Sequence, residues 1–153
     1  EGARVNPQRC RLRAAVAAAV LAAAAGAMPA ASAELAADHP FVGTWKFAIQ
    51  QLNCTETYTF RRDGTGLVRS AGEISESTFE ISAKPSPRGF YKWDHTIVKT
   101  NGRKDCAGQV METGNTVSQF VYFHRSPDVF FICGDETGRN CIGPFLRQKG
   151  QGV

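Results

Sequence analysis

Residues 34–153 lack both long apolar runs and clusters of like charge. Residues 1–33 hold four arginines and one glutamate, so the remainder of the chain carries 14 basic and 13 acidic side chains. No stretch of this remainder gathers five or six like charges, which is the pattern typical of segments that bind nucleic acid or an anionic membrane surface. We therefore expect no nucleic-acid partner.

The sequence also lacks the short motifs that mark catalytic and cofactor sites. It contains no G-x-S-x-G elbow, no phosphate-binding glycine loop and no metalloprotease helix motif. The cysteines of residues 34–153 are 52, 27 and 8 positions apart, and these gaps match no zinc module. His95 and His124 stand at no diagnostic spacing. The sequence predicts no catalytic residue, no metal site and no cofactor.

Residues 1–33 have the pattern of a secretory signal peptide, with residues 1–8 as an upstream extension. Arg9, Arg11 and Arg13 precede an apolar run over 14–25, and the segment ends in Ala31-Ser32-Ala33, a cleavage pattern of small residues. The run is shorter than the roughly 20 residues that a spanning helix needs. The sequence therefore predicts a bacterial protein that is periplasmic or secreted, begins at Glu34 and has no membrane segment after cleavage.

Four cysteines in an exported domain of this size predict two disulfides. They are Cys54, Cys106, Cys133 and Cys141, and three pairings are open. We favour Cys133–Cys141 because the seven residues between them form a turn-rich loop whose ends can meet. This choice leaves Cys54 to pair with Cys106.

The pattern of residues 34–153 is that of one domain built almost entirely from short strands. Alternating or apolar segments separated by glycine-rich turns are typical of a β-sandwich or an up-and-down barrel. The strand candidates are 45–50, 55–61, 67–70, 78–82, 90–99, 108–112, 117–125, 129–133 and 142–147.

The segment Phe41-Val42-Gly43-Thr44-Trp45-Lys46 lies just before the first strand candidate. It resembles the G-x-W opening of the calycins, which include lipocalins, fatty-acid-binding proteins and avidins. The resemblance implies a lipocalin-like antiparallel up-and-down barrel of about eight strands. It further implies that Trp45 closes one end of the barrel and that Arg147 packs over its indole, a favourable cation–π arrangement.

A second resemblance lies within the same architecture. Bacterial periplasmic inhibitors of metalloproteases share the G-x-W opening and a cysteine nine positions after the tryptophan, as Trp45 and Cys54 are here. In those inhibitors the segment before the barrel enters the protease active site. The corresponding segment of this chain is Glu34 to His39.

Aromatic side chains on two strands are the candidate ligand contacts. Because side chains alternate along a strand, Tyr91, Trp93 and His95 share one face, which we expect to point inward. Tyr122 shares a face with His124 on a later strand, although both faces of that strand are apolar. The alternative is that these side chains only fill the core. Glu56, Glu80 and Asp94 alternate with apolar residues, and we expect them to face solvent.

The function expected from the sequence is that of an exported, monomeric, non-catalytic binding protein. A lipocalin-like barrel would bury an apolar or amphipathic ligand against Tyr91, Trp93, His95 and Tyr122. One alternative is a protease inhibitor that acts through its N-terminal tail, and another is an interaction module of the cell envelope. An enzyme is the least supported alternative, because the sequence predicts no catalytic residue. The fold alone does not decide among these functions.

Overall fold

Eight strands whose side chains alternate between an inner and an outer face build the fold. The computed structural model describes residues 34–150, so the predicted signal peptide lies outside the described residues. A single 3-10 turn, Gln50–Leu52, interrupts the strands of this part of the chain. The strands are β1 (Gly43–Ile49), β2 (Cys54–Phe60), β3 (Thr65–Ser70), β4 (Glu73–Ile81), β5 (Phe90–Thr100), β6 (Thr116–Phe123), β7 (Val129–Cys133) and β8 (Cys141–Arg147).

Each strand pairs antiparallel with the next, and the last pairs with the first. The closing contact joins Trp45 to Arg147 and Phe47 to Phe145 in register. The result is a closed up-and-down barrel of eight strands, which confirms the predicted fold class.

The prediction of a strand over 108–112 is wrong. This segment forms only an isolated bridge, Lys104 to Val110, within the long connection between β5 and β6. Gly108 has a φ of +80°, and its N–H bonds to the carbonyl of Asp105, so the chain turns back on itself here. A tight turn of this kind leaves no length for a strand.

Two disulfides join the strands at one end of the barrel. Cys54 at the start of β2 is bonded to Cys106 in the β5–β6 connection, and Cys133 at the end of β7 is bonded to Cys141 at the start of β8. This confirms the favoured pairing. Disulfides are typical of proteins that fold in an oxidising compartment. None of the helices in residues 34–150 is both long and apolar enough to cross a membrane.

The main core lies at the other end of the barrel, which we call the closed end. It is an aromatic cluster in which the rings of Phe130 and Phe145 stack with centroids 4.7 Å apart and those of Phe41 and Phe60 at 4.0 Å. Phe41 comes from the segment before β1, which crosses this end. The buried members of the cluster are Phe41, Trp45, Phe60, Phe79, Ile81, Trp93, Val121, Phe130, Ile132 and Phe145.

Candidate functional site

The barrel interior contains a cavity of 160 Å³ at the end away from the closed end. We call it the open-end cavity. Inward-facing side chains of β2 to β8 line it, and Asp105 and Met111 of the β5–β6 connection contribute from above the barrel mouth. Because Cys106 is bonded to Cys54, this connection is fixed at the mouth.

Strand periodicity brings polar side chains into this cavity. On β4 the buried positions alternate with exposed ones along the whole strand. Glu73, Ser75 and Ser77 therefore share the inner face with Phe79, and they come first because β4 starts at the open end. The polar half of the barrel interior thus follows from the same alternation that builds the core.

Glu56 is at the centre of a hydrogen-bond network in the cavity wall. The hydroxyl groups of Tyr58 and Ser70 each donate to its carboxylate over 2.5 Å, and the N–H of Cys106 donates to Ser70 Oγ over 2.9 Å. Burial raises the pKa of Tyr58, and the Glu56 carboxylate adds to this rise. The network joins β2, β3 and the connection that covers the mouth.

The prediction that Glu56 faces solvent is wrong, because only 8% of this residue is exposed. It shares its strand face with Tyr58 and Phe60. Its even spacing from Phe60 was therefore the signal in the sequence that Glu56 points inward. Even spacing from Phe79 would likewise have predicted that Glu73, Ser75 and Ser77 point inward, which the sequence analysis missed.

Three buried polar atoms at the cavity have no hydrogen-bond partner among residues 34–150. They are Glu73 Oε1, Trp93 Nε1 and His95 Nδ1. Glu73 is 3% and Trp93 4% exposed, and the His95 ring stacks on Trp93 with centroids 4.1 Å apart. Buried polar groups in folded proteins have a hydrogen-bond partner in the protein or in bound water, so these three atoms have hydrogen-bonding capacity that the described residues do not fill.

Burial also shifts the pKa values of these groups. It raises the pKa of Glu73, and the nearby carboxylates of Asp105 and Glu56 raise that pKa further. A hydrogen bond from the Ser75 hydroxyl opposes the rise. Burial lowers the pKa of His95, and Asp94 opposes this only in part. His95 is therefore neutral near pH 7, and the site disfavours the charged form of Glu73.

The structure brings two of the four predicted ligand contacts to this cavity. Trp93 and His95 line it. Tyr91 faces inward but lies at the closed end, where its ring contacts those of His39 and Phe123 at 5.3 and 5.7 Å.

Tyr122 points to the outside of the barrel. It lines an outer groove together with Phe90, His124 and the loop closed by the Cys133–Cys141 disulfide. His95 and His124 thus lie on opposite sides of the barrel wall. In the part of the chain that the structure describes, no group of three or more His, Cys, Asp or Glu side chains could hold a metal ion.

The predicted pair Trp45 and Arg147 lies at the closed end. The Arg147 guanidinium lies 4.2 Å above the Trp45 ring, and its Nε is 2.9 Å from the Asp128 carboxylate. It also donates to the carbonyl oxygens of Pro40 and Val42 over 2.6 and 2.8 Å. Arg147 therefore ties the segment before β1 to the last strand.

The segment 34–39 packs against the closed end. Leu35 N–H donates to the Arg62 carbonyl over 2.8 Å, and Arg62 Nε donates back to the Leu35 carbonyl over 3.1 Å. The Leu35 side chain packs against the core, and His39 Nε2 lies 3.1 Å from the Ser82 carbonyl. This part of the chain is held at both of its ends.

Comparisons with known proteins add no relative. No family model, no curated protein and no solved structure matches this chain.

Proposed function

We propose that this chain is an exported, lipocalin-like carrier or sensor that binds a small amphipathic molecule in the open-end cavity. Ligand binding would place an apolar body against the apolar lining of the cavity and polar groups against Glu73, His95 and the indole N–H of Trp93. The periplasm or the exterior of the cell is the proposed location, which agrees with the two disulfides.

The observation that carries the proposal is the set of three unpartnered polar atoms at one cavity. A buried polar group without a partner costs about 1 to 3 kcal/mol. Around Glu56, by contrast, the hydroxyl groups of Tyr58 and Ser70 satisfy the carboxylate. A binding site needs polar atoms whose hydrogen bonds are left for the ligand. The three unpartnered atoms beside the satisfied Glu56 network meet this requirement.

The contacts of residues 34–39 weigh against the alternative of an inhibitory tail. A segment that enters a protease cleft must leave the barrel, and this one is bonded to Arg62 and packed on the core through Leu35. Release would give up both contacts. We therefore favour the cavity over the tail.

Native mass spectrometry of the protein isolated from an oxidising periplasm tests the proposal. We expect a discrete adduct that is lost on denaturation, on a chain lighter by four hydrogens than the reduced form. Trp93→Phe replaces the indole by a smaller aromatic ring and removes its N–H, so it should reduce the adduct without unfolding the barrel. Glu80→Gln is the control, because Glu80 is exposed on the outer face of β4.

An adduct that survives in equal amount in Trp93→Phe would place the bound molecule elsewhere. Protein that carries no adduct and takes up none of a panel of small periplasmic metabolites would contradict the proposed function.

A further inference from the structure

The residues around the open-end cavity specify the charge of its ligand. Three acidic side chains line it, Glu56, Glu73 and Asp105, and none of the described residues that line it is a lysine or an arginine. His95 contributes no positive charge near pH 7, because burial lowers its pKa. The field inside the cavity therefore favours a cation and repels an anion.

Glu73 is the group best placed to hold a positive donor. The Glu56 carboxylate already accepts from Tyr58 and Ser70, whereas Oε1 of Glu73 is buried without a partner. A carboxylate only accepts hydrogen bonds, so its missing partner is an N–H or O–H donor. Tyr58 and Trp93 line the same cavity and add aromatic surface for the organic part of a ligand.

Trp93 adds a second requirement. The indole N–H is only a donor, so its missing partner must be an acceptor. A carboxylate on the ligand would meet the three acidic side chains, so this acceptor is a neutral oxygen such as a hydroxyl. Size gives the third limit, because a cavity of 160 Å³ is close to the roughly 150 Å³ that accommodates one benzene ring.

We infer that the ligand is a small organic amine, bound as a cation, that also carries a neutral acceptor oxygen. Its ammonium group binds the Glu73 carboxylate, and its oxygen accepts from Trp93 Nε1. This inference rests on the proposed function, since it concerns the same cavity.

The test is a titration of the full disulfide-bonded chain, labelled with ¹⁵N, with four one-ring probes. They are 4-aminocyclohexanol, 4-methylcyclohexanol, cyclohexylamine and 4-hydroxycyclohexanecarboxylate. The chain has two tryptophans, so two indole N–H signals are observed. Trp45 Nε1 donates to the Phe41 carbonyl over 3.0 Å at the closed end and is the internal control. We expect the amino alcohol to shift the Trp93 signal, to leave that of Trp45 in place and to bind more tightly than the other three.

Three variants connect the result to Glu73 and Trp93. Glu73→Gln should weaken binding of the amino alcohol by at least about tenfold, as expected for the loss of one charge-assisted hydrogen bond. Glu80→Gln should leave it unchanged. Trp93→Phe, followed through its backbone amide signals because it lacks the Trp93 indole signal, should abolish the advantage of the amino alcohol over cyclohexylamine. Comparable weakening in Glu73→Gln and Glu80→Gln would overturn the assignment.

The failure of this inference and the failure of the proposed function are distinguishable. If 4-methylcyclohexanol or the carboxylate binds as tightly as the amino alcohol, the inference is overturned and the cavity remains a binding site. If no probe moves the Trp93 signal and the isolated protein carries no adduct, both are overturned.

Discussion

The two halves of the barrel interior are built by the same strands from opposite kinds of side chain. At the closed end the inward positions are aromatic, and Phe130 and Phe145 are completely buried. At the open end the inward positions of the same sheet are Glu56, Glu73 and their hydroxyl neighbours. The change occurs within single strands, for example between Ser77 and Phe79 on β4.

The closed end therefore stabilises the barrel, whereas the open end contains the candidate binding site. The closed end stabilises the fold through tightly packed rings and through a guanidinium with several partners. The open end keeps buried polar atoms without partners, which costs free energy in the protein alone. A substitution that removes a buried ring at the closed end should therefore destabilise the protein, whereas one that removes an unpartnered polar group at the open end should stabilise it.

The largest effect is expected at the closed end. Phe130→Ala removes a fully buried ring that contacts Trp45 and Phe145 with centroids 4.6 and 4.7 Å away. Its free energy of unfolding should fall by about 3 to 5 kcal/mol, measured by urea unfolding. Phe131→Ala is the matched control on the outer face of β7 and should cost clearly less. Equal losses would break the distinction between the inner and outer faces.

Removal of the Cys54–Cys106 bond should come next, and it sharpens the comparison at the open end. The bond closes a loop of 52 residues, against 8 for Cys133–Cys141. Chain entropy predicts losses of up to about 4 and 2.5 kcal/mol when each pair is replaced by serine. Because Cys106 fixes the connection over the mouth, only the first replacement should also weaken ligand binding. A larger loss from the shorter loop, in thermal melts of both variants, would contradict this.

Arg147→Met tests the closure of the barrel, with a smaller effect. It leaves the carbonyl groups of Pro40 and Val42 without their donor and removes the ion pair with Asp128. We expect a loss of about 2 kcal/mol. Lys149→Met is the control, because its side chain is 82% exposed and also pairs with Asp128, at 3.4 Å. A surface pair of this kind contributes less than about 1 kcal/mol, so similar melting temperatures for the two variants would show that Arg147 acts only as a surface charge.

Much of the fold could be predicted from local patterns. The glycine-rich turns between strands, the alternation of β5 and the loop between Cys133 and Cys141 each depend on residues that are close in sequence. The closure of β1 on β8 was expected only from the resemblance carried by Trp45, since pairing across a hundred residues leaves no local signal.

The candidate site was predicted only in part, for a physical reason. Trp93 and His95 were identified because aromatic side chains stand out on an alternating strand. Glu56 was expected to face solvent because a carboxylate on an alternating strand usually does, and Glu73 was missed because residues 71–77 were not predicted to form a strand. Tyr122 was assigned to the site although both faces of β6 are apolar, and only the tertiary structure determines which face is inside.

The measurement that tests the central claim most directly is the melting temperature of Glu73→Gln without ligand at pH 7. Burial raises the pKa of Glu73 above its usual 4.5, so the carboxylate costs stability at pH values above that raised pKa, and the cost disappears as the pH falls below 4.5. We predict that the variant is more stable than the wild type by of the order of 1 kcal/mol at pH 7, and that the difference vanishes on acidification. A variant less stable than the wild type at pH 7 would show that Glu73 stabilises the fold, and would contradict the account.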